Sequence, residues 1–309
     1  MLGDYAVIQW RLKKQMKIAI LLVCHKNVDQ INRLISVLSH ENIDFFIHVD
    51  KKSNIINDIT KNKKVFLVPD KQRVDVKWGT FSQVEASLQL LRMAANHDEY
   101  DYFWQISGQV FPLRKASDIV DFFKTNDVNY INLFTSKNNG LQRSNNYDKR
   151  NDIYFSDWMF KKGLLYRIVR RSWIEITGGY DKTFSFAKRR NTTNCKFFFG
   201  SSWWCINGSF VNYVLDYINN HKEYCAYFKN TSCPDESFFQ TLLMNSQYRN
   251  KRQDYLHYVD WSRGGNNPKI LTIDDFNKLM TSDKLMARKF DDSVDSRIIA
   301  TIMKKMYQG

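Results

Sequence analysis

The sequence predicts an α/β protein, a mixed and mostly parallel sheet flanked by helices. Short unbroken apolar runs of strand length alternate with stretches whose apolar residues recur at helical spacing. Its 309 residues are 43% hydrophobic and 25% charged, enough to bury one large core. Only 12 Gly and 4 Pro leave little chain for flexible linkers. Ile18–Cys24 (IAILLVC) has no polar residue, as expected of a strand covered on both faces. Ile31, Leu34, Ile35 and Leu38 repeat at i, i+3, i+4, i+7 and mark one helix face. Phe45–Val49 and Val65–Val68 read as strands, Phe81, Val84, Leu88 and Leu91 as a helix, and Tyr102–Ile106 as a fourth strand. A helix over Asp118–Phe123 and a strand over Tyr130–Phe134 follow. Thr135–Asn194, rich in Lys, Arg, Asn and Tyr with weak periodicity, reads as an excursion covering a site. Beyond it come a strand at Trp203–Ile206, helices at Phe210–Ile218 and Pro234–Met244, a strand-like Leu256–Trp261 and a helix at Ile273–Met280 capped by Thr272. In parallel sheets ligands sit beyond the carboxyl ends of strands, which points to Cys24–Lys26, Val49–Lys51 and Ser107–Val110.

With 46 Lys plus Arg against 32 Asp plus Glu, the net charge is +14. Such a charge suits nucleic acid, acidic lipid or a phosphorylated small molecule. No aromatic RNA-binding segment, helix-turn-helix pattern or zinc-finger spacing accompanies it, so no nucleic-acid partner is expected. The five cysteines lack any C-x-x-C spacing, which argues against a zinc site and for a reducing compartment. No apolar run approaches the roughly 18–20 residues of a bilayer span. The N-terminal stretch does not have the form of a secretory signal. A cytoplasmic protein is expected, with a peripheral place on the inner membrane face as an added option. For that option the segment Phe160–Trp173 is the candidate, because it mixes leucine, isoleucine and valine with five cations. An ordinary surface helix reads the same way.

There is no G-x-G-x-x-G, Walker loop, H-E-x-x-H, G-x-S-x-G or Asp-x-Asp. Other segments are distinctive together: VCHKNVDQINRLI with FFIHVDKKS, WGTFSQVEASL with YFWQISGQVFPL, FFFGSSWWCIN with SCPDESFFQTLL, and YVDWSRGGNNPKILTIDDFNKL with LMARKFD. In order and residue type, over roughly Lys17 to Asp295, they resemble the core-2/I-branching β-1,6-N-acetylglucosaminyltransferases, the Branch family, whose relatives include peptide O-xylosyltransferases. The resemblance implies a GT-A-like fold and inverting transfer from a UDP-sugar, GlcNAc first, to a glycan hydroxyl without a bound metal. It also implies a single domain, 17–309, after an extension at 1–16. Residues 17–134 would form the nucleotide-binding half and 135–309 the acceptor-binding, catalytic half. The acceptor would be an oligosaccharide or a lipid-linked glycan, in a bacterial surface polysaccharide or glycoconjugate pathway. Transfer of xylose, galactose or another hexose, and a non-catalytic glycan- or nucleotide-binding module, are the alternatives.

Such a displacement needs a base for the acceptor proton and positive charge for the departing UDP. Glu236 matches the family's catalytic base, with Asp235 as a structural neighbour. Lys289 matches a diphosphate-binding lysine, Lys269 falls near a phosphate-binding arginine, and Arg288 is a neighbouring candidate. Asp50 resembles the uridine or ribose contact, His25 and Lys26 the base-binding loop, and Trp78 a wall of that pocket. Ser201, Ser202 and Trp203 match a segment near the acceptor, and alternation along a strand allows only one of Trp203 and Trp204 to face it. Trp261 resembles an aromatic that stacks on acceptor sugar, and Arg150 in the excursion is a further acceptor candidate. Relatives usually carry Asp where this chain has Val110, and Gln109 is a possible substitute.

Overall fold

The structure, a computed structural model, describes residues 16–134, 147–155, 163–179, 182, 187–264 and 267–308. Apart from Met16, the N-terminal extension lies outside them, as do Phe160, Lys161 and Lys162. The strands are β1 (Ile18–Cys24), β2 (Ile43–Val49), β3 (Val65–Leu67), β4 (Tyr102–Ser107), β5 (Val110–Pro112), β6 (Asn129–Ile131), β7 (Trp204–Asn207), β8 (Arg252–Gln253), β9 (His257–Val259) and β10 (Met286–Arg288). The helices are α1 (Val28–Val37), α2 (Ser82–Ala95), α3 (Ala116–Lys124), α4 (Tyr147–Asp152), α5 (Leu164–Ile176), α6 (Gly208–Asn220), α7 (Lys222–Lys229), α8 (Phe238–Met244), α9 (Phe276–Met280) and α10 (Arg297–Gln308).

Seven strands form one sheet in the order β3-β2-β1-β4-β7-β6-β8. The run from β3 to β4 is parallel, β7 is antiparallel to both its neighbours, and β8 is parallel to β6. Alternate residues of β1 enter different cores, which is why its sequence lacks polar positions. Ile18, Ile20 and Leu22 pack with Ile31 and Leu34 of α1, Phe123 of α3 and Ile302 of α10. Ala19 and Leu21 join Val84 and Leu91 of α2 and Phe210 of α6 on the other face. Each large side chain buried this way contributes roughly 1.5–3 kcal/mol, and the two-sided packing fixes the strand register.

A second sheet, β5-β10-β9, stands beside the first, with β10 antiparallel to β5 and parallel to β9. Its three-residue strands escape a periodicity reading, yet they carry Arg288 to the cleft. Val110 pairs with Arg288 in register and is fully buried in the core. Val110 therefore turns away from solvent.

Two helix assignments need correction. Pro234–Met244 is not one helix: a 3-10 turn over Pro234–Glu236 is broken at Ser237 (φ −137°), and α8 begins at Phe238. Residues 273–280 likewise divide into a 3-10 turn, Ile273–Asp275, and α9, and Asp275 accepts the Thr272 N–H at 3.0 Å. Among the described residues no helix is long and apolar enough to cross a membrane.

Candidate active site

β1 and β4 are parallel neighbours in the middle of the sheet, and from them the strand order runs to β2 on one side and to β7 on the other. A crevice opens at such a switch point. Here it is a cleft of about 350 Å³. His25, Asp50, Trp78, Gln109, Ser201, Ser202, Trp203, Glu236, Trp261, Arg288 and Lys289 all line it.

Glu236 is placed by contacts that join three of the sequence segments. Gly200 donates its N–H to the Glu236 carbonyl at 2.8 Å. Only glycine fits there, since a Cβ would lie 1.7 Å from the Asn132 carbonyl oxygen. Cys233 donates to the Gly79 carbonyl at 2.9 Å, and Gly79, at φ 81°, takes the left-handed conformation that glycine adopts freely. The Gly79 N–H in turn donates to Gln83 Oε1 at 2.5 Å, and Gln83 Nε2 donates to Asp235 Oδ2 at 3.1 Å. Ser202 Oγ donates to the same oxygen at 2.5 Å. Gln83 is a cleft residue that the sequence reading missed, although it sits within the W-G-T-F-S-Q segment.

Asp235 Oδ1 is buried and has no partner among the described residues. Burial, with the Glu236 charge beside it, pushes the Asp235 carboxyl up to about 7. Because the folded pKa lies above the unfolded value of about 3.9, its stability contribution is complete at acid pH and is lost as pH rises through 7. Asp235→Asn mimics the protonated acid and can still accept from Ser202 and Gln83. Its melting temperature should exceed wild type at pH 8 and converge with it toward pH 4, read by calorimetry; a pH-independent difference would remove the burial argument.

Arg150 does not stand free as an acceptor contact. Its Nη1 lies 2.7 Å from Glu236 Oε2, and both side chains are about a quarter exposed. α4 is held in this position from behind. Asn151 Nδ2 donates to Ser237 Oγ at 3.1 Å, while the Asn151 carbonyl accepts from Tyr227 Oη at 2.6 Å and from Arg189 Nε at 3.0 Å. Arg189 also stacks 3.7 Å from the Tyr227 ring centroid. These clamping residues carried no signal in sequence, because each is an ordinary polar residue until the excursion folds back.

At the opposite wall stand the cations. Arg288 lies over the Trp203 ring at 4.5 Å, and its Nε is buried without a hydrogen-bond partner. Among the described residues neither Arg288 nor Lys289 has an acidic partner within ion-pair distance. Burial, then the neighbouring Arg288 and Lys26, lower the Lys289 pKa. Two other predicted cations are committed elsewhere. Lys26 pairs with Asp291 at 2.6 Å and Lys269 with Asp275 at 2.6 Å, and neither lines the cleft. These bridges tie the loop after β1, and the turn before α9, to the frame.

Asp50 is mostly buried and accepts from the Lys52 N–H at 2.9 Å and from Lys52 Nζ. His25 is lowered in pKa by partial burial and by Lys26, which favours a neutral ring. Trp78 is 61% exposed and stands at the rim. Of the tryptophan pair, Trp203, just before β7, faces the cleft, while Trp204, the first residue of β7, is buried against Phe239 at 4.6 Å. Gln109 Nε2 reaches the Phe290 carbonyl at 3.3 Å.

The α/β fold is GT-A-like, and the family model described as Core-2/I-Branching enzyme matches residues 18–282. The chain therefore belongs to the core-2/I-branching enzyme family. It is similar to xylosyltransferase 1 of Canis lupus familiaris, 24% identical over 98% of this chain and 32% of that protein. It is also similar to xylosyltransferase 1 of Rattus norvegicus, at 23% over 98% of this chain and 37% of that protein. A xylosyltransferase of Ciona intestinalis is 24% identical over 95% of this chain and 34% of its own length. The chain spans about a third of the length of these curated relatives.

Proposed function

We propose that this glycosyltransferase moves a sugar from a UDP-sugar to an acceptor hydroxyl with inversion and without a divalent cation. Glu236 takes the hydroxyl proton as the new bond forms at the anomeric carbon, and the electron pair of the breaking bond leaves with UDP. Arg288 and Lys289 face the charge that develops on the diphosphate. The observation that carries this reading is two cations without acidic partners among the described residues, sharing one cleft with a carboxylate that opposing segments hold in place. Trp203 and Trp261 offer flat apolar faces for the acceptor, an oligosaccharide or a lipid-linked glycan, and His25, Asp50 and Trp78 receive uridine.

UDP-GlcNAc is the first donor to test. UDP-xylose is the second, favoured by the names of the relatives. Turnover of a panel of UDP-sugars should select one donor by at least tenfold and proceed equally in EDTA. A loss of rate in EDTA that manganese restores would overturn the metal-free assignment. A second expectation concerns pH. UDP affinity should fall on the alkaline side before an ordinary lysine titrates near 10.4, because the lowered Lys289 loses its charge earlier. Calorimetry from pH 7 to 10 reads this directly, and a flat profile that Lys289→Arg leaves unchanged would contradict it.

A further inference from the structure

α5 carries a broad apolar face that is exposed to solvent. Leu164, Leu165, Tyr166, Ile168, Val169, Trp173 and Ile176 are all exposed, Leu165 at 77% and Ile176 at 80%. At about 100° per residue they span roughly 200° of the helix, with the small Ser172 inside the arc and Glu175 at one edge. The opposite side holds Arg167 and Arg171, and Arg171 pairs with Glu175 at 3.0 Å. Among the described side chains of α5 only Ile174 is half-buried, and it packs against Ile153 and Phe155, which follow α4. The helix is thus docked to the protein along one narrow line and presents its broadest apolar face to solvent.

We infer that α5 lies in the surface of an anionic phospholipid bilayer, its apolar arc in the acyl boundary and its arginines at the headgroups. Charge complementarity selects this occupant. The sequence of α5 contains three arginines, Lys161 and Lys162 precede it, and the chain carries +14 overall. Such a pattern is that of an interfacial helix, and the same net charge opposes docking of a second copy. The consequence reaches the active site. α4 delivers Arg150 to Glu236, and Ile153 and Phe155 just after it pack on Ile174 of α5, so a helix seated in lipid sets the acceptor side of the cleft beside the membrane. This goes beyond the transferase reading and is tested without any turnover.

The full chain is sedimented with vesicles of phosphatidylcholine alone, and with vesicles of equal parts phosphatidylcholine and phosphatidylglycerol. Binding should be at least tenfold stronger to the anionic vesicles and should weaken in high salt, and about fivefold for each of Arg167→Gln and Arg171→Gln. Leu165→Glu combined with Val169→Glu should abolish it while leaving UDP affinity and melting temperature unchanged, since neither side chain is buried. Brominated lipid should quench wild-type fluorescence more than that of Trp173→Phe. Absence of binding to anionic vesicles, or equal binding to neutral ones, would overturn the inference. So would a dimer in analytical ultracentrifugation that the double variant dissolves while vesicle binding is absent, which would make the face a contact between copies.

Discussion

Glu236→Gln should bind UDP as wild type does and turn over its donor about 10²–10⁴-fold more slowly, the usual range for removing a positioned general base. The amide keeps the size of the carboxylate and retains an oxygen to accept from Arg150 Nη1, which lies 2.7 Å from the native Oε2. The contacts that place the residue run through its backbone, from the Gly200 N–H at 2.8 Å and to the Cys233 carbonyl at 3.1 Å, and survive the change. What is lost is the capacity to take a proton. Calorimetry with UDP and initial rates with the selected UDP-sugar separate the two effects. A fall in kcat with little change in UDP affinity assigns a role confined to the transition state. Turnover at the wild-type level would remove Glu236 from the mechanism and turn attention to Asp235, the neighbouring acid in the cleft.

What was legible in the sequence follows from how local the deciding physics is. β1, β2, β4 and the face of α1 were readable because burial imposes a pattern over six or more consecutive residues. β5 and β10 were not, since three residues carry no period and their pairing joins positions about 175 apart in sequence, Arg288 with Val110. The break at Ser237 escaped for a similar reason. Its φ of −137° accompanies a hydroxyl held by Asn151 from the excursion, and no propensity encodes that. Cations were the hardest class. Lys26, Lys269, Arg288 and Lys289 are alike as sequence, and only the fold shows that Asp291, 265 positions away, engages Lys26.

Lys289→Ala should weaken UDP by about 10–100-fold and uridine by less than about twofold, because a hydrogen bond to a charged group is worth roughly 1.5–3 kcal/mol and each 1.4 kcal/mol is tenfold. The reason is the division of the cleft. His25, Asp50 and Trp78 belong to β1, β2 and the approach to α2, whereas Arg288 and Lys289 arrive from the second sheet. A nucleoside can use the first group alone, and only a phosphate needs the second. Arg288→Ala should reproduce the selective loss and also free Trp203, which now lies 4.5 Å beneath the guanidinium, so acceptor binding should weaken as well. Lys26→Ala serves as the control. It removes a cation committed to Asp291 and should cost stability with little selective effect on UDP. Equal weakening of UDP and uridine by Lys289→Ala would mean that the lysine does not touch phosphate. A selective loss in Lys26→Ala as large as in Lys289→Ala would mean that overall positive charge, and not the two unpartnered side chains, holds the diphosphate.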